Sequence, residues 1–174
     1  MPDLDVSGFR VVVIDDQVTN VEFLTALLER DGFRHVVGVS DPRRALEAIV
    51  SEDADLVLLD LMMPIVDGYE VLRSLRQALP GDRFLPVLVM TADATPEARR
   101  SALELGAADF LTKPVNVLEA TLRIRNLLHT RRLERENGRL RLALDEALAR
   151  LAGMEAHGVA VAEATDADRD EAEP

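Results

Sequence analysis

Short runs of aliphatic, often β-branched residues alternate along this chain with stretches whose apolar positions recur every three or four residues. RVVVID (10–15), HVVGV (35–39), ADLVLLD (54–60), LPVLVMTA (85–92) and ADFLT (108–112) read as strands. ADLVLLD is apolar without alternation, the pattern of a strand buried on both faces. Between the strands, TNVEFLTALLERDG places Val21, Leu24, Leu27 and Leu28 on one helix face and stops at Gly32. SDPRRALEAIV opens a helix with Asp41 as N-cap and Pro42 at the first helical position, and TPEARRSALELG repeats that start with Thr95 and Pro96 before stopping at Gly106. GYEVLRSLRQAL (68–79) is another helix, and a long one begins after Lys113-Pro114. Strands alternating with helices in this way predict an α/β protein: a parallel sheet of five strands covered on both sides. In such sheets, function collects beyond the carboxyl ends of the strands.

The residues at those ends are chemically specific. Asp15 and Asp16 close the first strand, Asp60 the third and Thr91 the fourth, while the fifth runs into Lys113. Singly, each has a plain structural reading: a cap, a strand former, a solvated cation. Together they bring three carboxylates, a hydroxyl and an ammonium to one edge of the sheet. Clustered carboxylates repel one another and call for a cation. An all-oxygen donor set with vacant positions favours Mg²⁺, which keeps waters and accepts phosphate oxygens. Beside Mg²⁺, one carboxylate can act as the nucleophile that takes a phosphoryl group, giving an aspartyl phosphate. Thr91 and Lys113 can then hold the remaining phosphoryl oxygens. Lys113 is the only lysine among 20 Lys and Arg residues. A compact ammonium suits an enclosed space beside a phosphoryl group better than a planar guanidinium does.

VIDDQ, LVLLDLMMPIVDG, VLVMTA and FLTKP, in this order and spacing, resemble the receiver domain of two-component response regulators over about Phe9–Leu128. The resemblance implies a flavodoxin-like, doubly wound fold and a phosphoryl group received on Asp60 from a histidine kinase or phosphotransfer protein. It implies Mg²⁺ held by Asp15, Asp16, Asp60 and the Met62 carbonyl. It makes Thr91 and Lys113 the phosphoryl-binding pair, Phe110 the switch aromatic and the Lys113–Pro114 peptide cis. Met62 and Asp93 would flank the route of attacking water.

The remaining features bear on context and partners. There is no cysteine, which removes disulfides, zinc thiolates and thiol catalysis and fits a reducing compartment. MPDLDVSGFR has neither the basic start nor the apolar run of a signal peptide, and no apolar stretch is long enough for a membrane span. The expectation is a soluble, cytoplasmic protein. A net charge of −12 and an aromatic content of 3% argue against nucleic acid as a direct partner. Residues 155–174 hold seven acids and one arginine and no aromatic residue, and are expected to form an acidic disordered tail.

Between them, residues 129–154 continue the last helix. Leu133, Leu140, Ala147 and Met154 take one heptad position, and Thr130, Asn137, Leu144 and Leu151 the other. This seam predicts a coiled coil and a parallel homodimer, with Asn137 fixing register. The chain is thus expected to be a regulator that accepts a phosphoryl group and switches protein contacts, rather than an enzyme. Two alternatives stay open: a Mg²⁺-dependent aspartyl-phosphate phosphatase, and the N-terminal regulatory part of a larger regulator. Against the phosphatase, position 62 is methionine where such enzymes carry a second acid.

Overall fold

The computed structural model of the protein describes residues 4–79, 84–93 and 95–170, with side chains from Leu151 onward outside the description. Its strands are β1 (Arg10–Ile14), β2 (His35–Val39), β3 (Leu56–Asp60), β4 (Val87–Thr91) and β5 (Asp109–Thr112). The helices are α1 (Val18–Arg30), α2 (Ala45–Ser51), α3 (Gly68–Ala78), α4 (Pro96–Glu104) and α5 (Val117–Asp170). All strand pairs are parallel and the order is β2-β1-β3-β4-β5, the doubly wound arrangement expected. Strand order reverses between β1 and β3, and a crevice forms at such a point beyond the carboxyl ends.

The period-two alternation of each strand divides the interior into two layers. Val12, Ile14, Val57, Leu59, Val87 and Val89 face α2, α3 and α4 through Ile49, Val71, Leu72, Leu75 and Ala102. Val11, Val13, Leu58, Leu88, Met90 and Leu111 face the other way, against Leu24, Leu28, Ala120, Ile124 and Leu128 of α1 and α5. β3 and β4 are buried at every position, which is why their sequences carry no polar alternation. Burying each such aliphatic side chain contributes about 2 kcal/mol.

Local chemistry sets the element ends. Thr95 caps α4 by accepting from the Ala98 N–H, with Pro96 in the first turn. Asp41 caps as expected, but what it caps is a single 3₁₀ turn, Pro42–Arg44, and α2 proper begins only at Ala45. Its Oδ1 accepts from the Arg43 N–H, a short-range bond that suits the tighter turn. Asp67 caps α3 through the Glu70 N–H, a capping role absent from the sequence reading. A Cβ on the next residue, Gly68, would stand 2.4 Å from the Asp60 carbonyl oxygen, so glycine lets α3 start hard against the end of β3.

Two features of α5 bear on the expected boundaries. The packed domain does not end at Leu128, since Arg131 is 6% exposed. Its guanidinium donates to the Phe84 carbonyl and lies 3.5 Å from Asp55 Oδ1. Asp55 is 1% exposed and also accepts from the Arg10 N–H. The first compact unit accordingly runs through Arg132. Secondly, the helical backbone continues through Asp170, into the segment expected to lack structure, while residues 171–174 lie outside the described residues. Alanine and glutamate, abundant there, are good helix formers, which an argument from burial alone overlooks. Among the described residues, no helix is long and apolar enough to cross a membrane.

The position of Arg131 makes the boundary testable. A chain ending at Arg132 should hold the urea midpoint of the receiver transition seen in the full chain. One ending at Leu128 should lose about 3 kcal/mol, because the buried Asp55 loses the Arg131 guanidinium beside it. Equal midpoints for the two truncations would return the boundary to Leu128.

Candidate functional site

The carboxyl ends of four strands deliver the site. Asp15 and Asp16 follow β1, Asp60 ends β3, Thr91 ends β4, and Lys113 follows β5. Asp15 is wholly buried, and Asp60 and Thr91 are each 2% exposed. One oxygen from each of Asp15, Asp16 and Asp60 can be chosen so that all lie within 4.8 Å of one another. The Lys113 ammonium bridges this cluster, 2.8 Å from Asp15 Oδ2 and 2.7 Å from Asp60 Oδ2.

Each acid is held differently. Asp15 accepts from the Gln17 N–H at 3.0 Å and from the Asn20 amide at 3.0 and 3.1 Å, besides Lys113. Asp60 Oδ1 accepts from the Met62 N–H at 3.2 Å, so the backbone after β3 curls over the carboxylate. Asp16 Oδ1 is buried and has no hydrogen-bond partner among the described residues. A buried carboxylate oxygen without a donor carries a desolvation penalty that a cation would relieve. The donors are all oxygen, with no nitrogen or sulfur ligand in the cluster, and this set fits Mg²⁺.

Burial pulls the Lys113 ammonium down, yet its bonds to Asp15 and Asp60 outweigh that effect and leave it above its ordinary pKa. It is therefore a cation at neutral pH, opposite three acidic side chains. A divalent cation would be welcome there as well on electrostatic grounds.

Around this centre stand the other residues singled out from the sequence. Thr91 Oγ1 accepts from the Asp93 N–H at 3.0 Å, and the Thr91 carbonyl accepts from the Lys113 N–H at 2.8 Å. The ends of β4 and β5 are thereby tied at the site. The Lys113–Pro114 peptide is cis. The Met62 side chain is 63% exposed at the rim. Phe110 is half-buried on β5, its ring 4.2 Å from the Arg99 guanidinium carbon and 5.7 Å from that of Arg123. Arg123 is in turn fixed by Asp109 at 2.5 Å and Glu119 at 2.8 Å. Leu133, Asn137, Leu140 and Leu144 lie on the exposed part of α5, remote in sequence from this chemistry, and the side chain of Leu151 lies outside the described residues.

Sequence reasoning missed Gln17, Asn20 and the two arginines at Phe110. Asn20 was within reach, since a polar residue in the first turn of α1, five after Asp15, can reach back to the strand end. The arginines carried no such signal, because they come from α4 and α5 and meet only through the fold.

Comparison with known proteins agrees with this geometry. Residues 11–125 match the response regulator receiver domain family. The sensory/regulatory protein RpfC of Xanthomonas campestris is 41% identical over 111 residues, covering 63% of this chain and 15% of that protein. The regulatory protein VanRc of Enterococcus gallinarum is 36% identical over 128 residues, or 74% of this chain and 52% of VanRc. The chain thus spans about half, or less, of the length of these relatives. Among solved structures, the receiver domain of Francisella response regulator 1452 superposes with a TM-score of 0.64 at 28% identity, covering 71% of this chain and 98% of that one. A CheY-like receiver domain protein from Methanospirillum hungatei gives a TM-score of 0.66 at 25% identity, covering 72% and 98%. With five parallel strands in the receiver order and an acidic cluster at their ends, this chain belongs to the response regulator receiver domain family of two-component signalling.

Proposed function

We propose that Asp60 is the phosphoryl acceptor and that the domain switches its protein contacts when Asp60 is modified. One observation carries this reading: Asp60, at the reversal of strand order, is bound by Lys113 and lies within reach of the unsatisfied Asp16 oxygen. Receiver domains interact with histidine kinases or phosphotransfer proteins, so the donor would be a phosphohistidine. A carboxylate oxygen of Asp60 attacks phosphorus. The new O–P bond forms as the P–N bond breaks, and its electron pair leaves with the imidazole nitrogen. Asp15, Asp16, Asp60 and the Met62 carbonyl would hold Mg²⁺, which when bound neutralises charge on the phosphoryl oxygens. Lys113 follows one phosphoryl oxygen with its ammonium, and Thr91 turns its hydroxyl to donate to another.

Receiver domains are generally signalling domains, and we read a signalling role here rather than phosphatase turnover. Met62, a thioether, cannot protonate a leaving group where a phosphatase of this chemistry needs an acid. Phe110 is proposed to report the state of Thr91.

Acetyl phosphate with Mg²⁺ should add one phosphoryl group by intact mass. Asp60→Asn and excess chelator should each abolish the addition, and undiminished labelling in either case would overturn the assignment.

Mg²⁺ affinity, read by titration calorimetry, should respond in opposite directions to two neutral substitutions. Asp16→Asn removes an anion and should weaken binding about tenfold or more, whereas Lys113→Met removes the competing cation and should tighten it by roughly as much. Parallel losses in both would show that Lys113 helps hold the ion rather than standing in for it.

Lys113→Arg should keep the charge, the fold and labelling of Asp60 but lose the response at Thr91 and Phe110, because a guanidinium cannot follow the oxygen in that space. Hydrogen exchange around these residues, with and without acetyl phosphate, checks this. A variant that responds like the parent would remove any special role for the ammonium.

A further inference from the structure

Helix α5 continues well past the point where its packing ends. Ile124, Leu128 and Arg131 are buried, but every residue from Arg132 to Arg150 is exposed. Leu133, Leu140 and Leu144 are 46%, 61% and 59% exposed on this segment. A helix that shows leucines to water at heptad spacing needs a partner to cover them. Nothing in the phosphoryl chemistry requires this surface, so it calls for its own explanation.

Two features of the segment identify the partner and its direction. Leu133, Leu140 and Ala147 occupy the d positions of the heptad, which places Asn137 and Leu144 at a. In a parallel, in-register pair Asn137 meets Asn137 of the second copy, and the two amides can hydrogen-bond. In an antiparallel pair an a residue faces a d residue, so the amide would be set against an apolar side chain and left unsatisfied.

Charge gives the second argument. As a whole the extension is segregated: residues 132–141 carry four arginines and two glutamates, and residues 142–170 seven acids and two arginines. Taken alone, that would favour antiparallel helices. But only the e and g positions flank the seam, and they decide orientation. Among the residues whose side chains are described, g holds His129, Glu136, Ala143 and Arg150, and e holds Glu134, Arg141 and Leu148. In a parallel pair each g residue meets the e residue five positions further along the partner. Glu136 then faces Arg141, a pair of opposite sign made twice by symmetry. Glu134 at e meets His129 at g, and the charges at b, c and f lie on the outer faces, where solvent screens them.

We propose that the exposed stripe of α5 is covered by the same stripe of a second copy of this chain, parallel and in register. The Asn137 layer and the Glu136–Arg141 pair fix that register. This goes beyond the phosphoacceptor reading and stands or falls separately from it.

The test uses the full-length chain, whose lack of cysteine makes single thiols clean probes. Sedimentation equilibrium should give twice the chain mass, and Leu133→Cys should close into a disulfide dimer on mild oxidation. Glu136→Arg should weaken association about fivefold, and adding Arg141→Glu in the same chain should recover it to about the parent value. All of these variants should still accept one phosphoryl group on Asp60, which separates a failure of the seam from a failure of the acceptor. A monomeric mass at high protein concentration would overturn the proposal. So would a dimer that leaves Leu133→Cys unlinked, as antiparallel helices would place the thiols far apart. Failure of Arg141→Glu to rescue Glu136→Arg would overturn it as well.

Discussion

Two carboxylates with almost no access to water, Asp15 and Asp60, meet the same ammonium at 2.8 and 2.7 Å. Burying like charges side by side is costly, and a cation placed between them offsets that cost. Lys113 supplies that cation from 98 residues away in the case of Asp15 and 53 in the case of Asp60. The pairing therefore depends on a sheet that places the ends of β1, β3 and β5 around one crevice. Buried, largely aliphatic strands hold that sheet together: β3 is buried at all five positions, and β1 at its last four. Core packing and site electrostatics are two consequences of one strand order.

The same arrangement explains how a local event could be felt at a distance. The Lys113 N–H is bonded to the Thr91 carbonyl, so the two proposed phosphoryl-binding residues share a backbone link. Phe110 lies on β5, three residues before Lys113, and Arg99 of α4 and Arg123 of α5 flank its ring. A shift of Thr91 or Lys113 has a short mechanical path to both helices. Arg123 is anchored on Asp109 and Glu119 and forms the firmer side of that clamp, while Arg99 stands closer to the ring.

The fold was readable from the sequence because its signals are local: aliphatic runs, a Thr-Pro start, glycine stops. Gly32 and Gly106 both adopt φ +99° just past the ends of α1 and α4, where they were expected to end helices. The acidic cluster was readable for a different reason, since parallel strands bring all carboxyl ends to one edge and only the end residues need be listed in order. What escaped was whatever depends on contacts between elements. Arg131 lies in a helical stretch rich in arginine and glutamate, where nothing in the sequence sets it apart, and the closeness of Asp55 and Phe84 explains its burial. The split of the second helical segment into a 3₁₀ turn and α2 escaped as well, because the Asp41 cap and proline are compatible with either.

The central claim is that the Lys113 ammonium holds the buried acids together before modification and transfers to the phosphoryl group afterwards. Because the chain has one lysine, selective ¹⁵N labelling of lysine gives a single side-chain ammonium resonance to follow by NMR. The account predicts a distinct, slowly exchanging signal that moves when Asp60 is phosphorylated in the presence of Mg²⁺, and that does not move on the same treatment of Asp60→Asn. A resonance at the position of a free, solvated ammonium, or one that stays fixed while Asp60 becomes fully labelled, would contradict it.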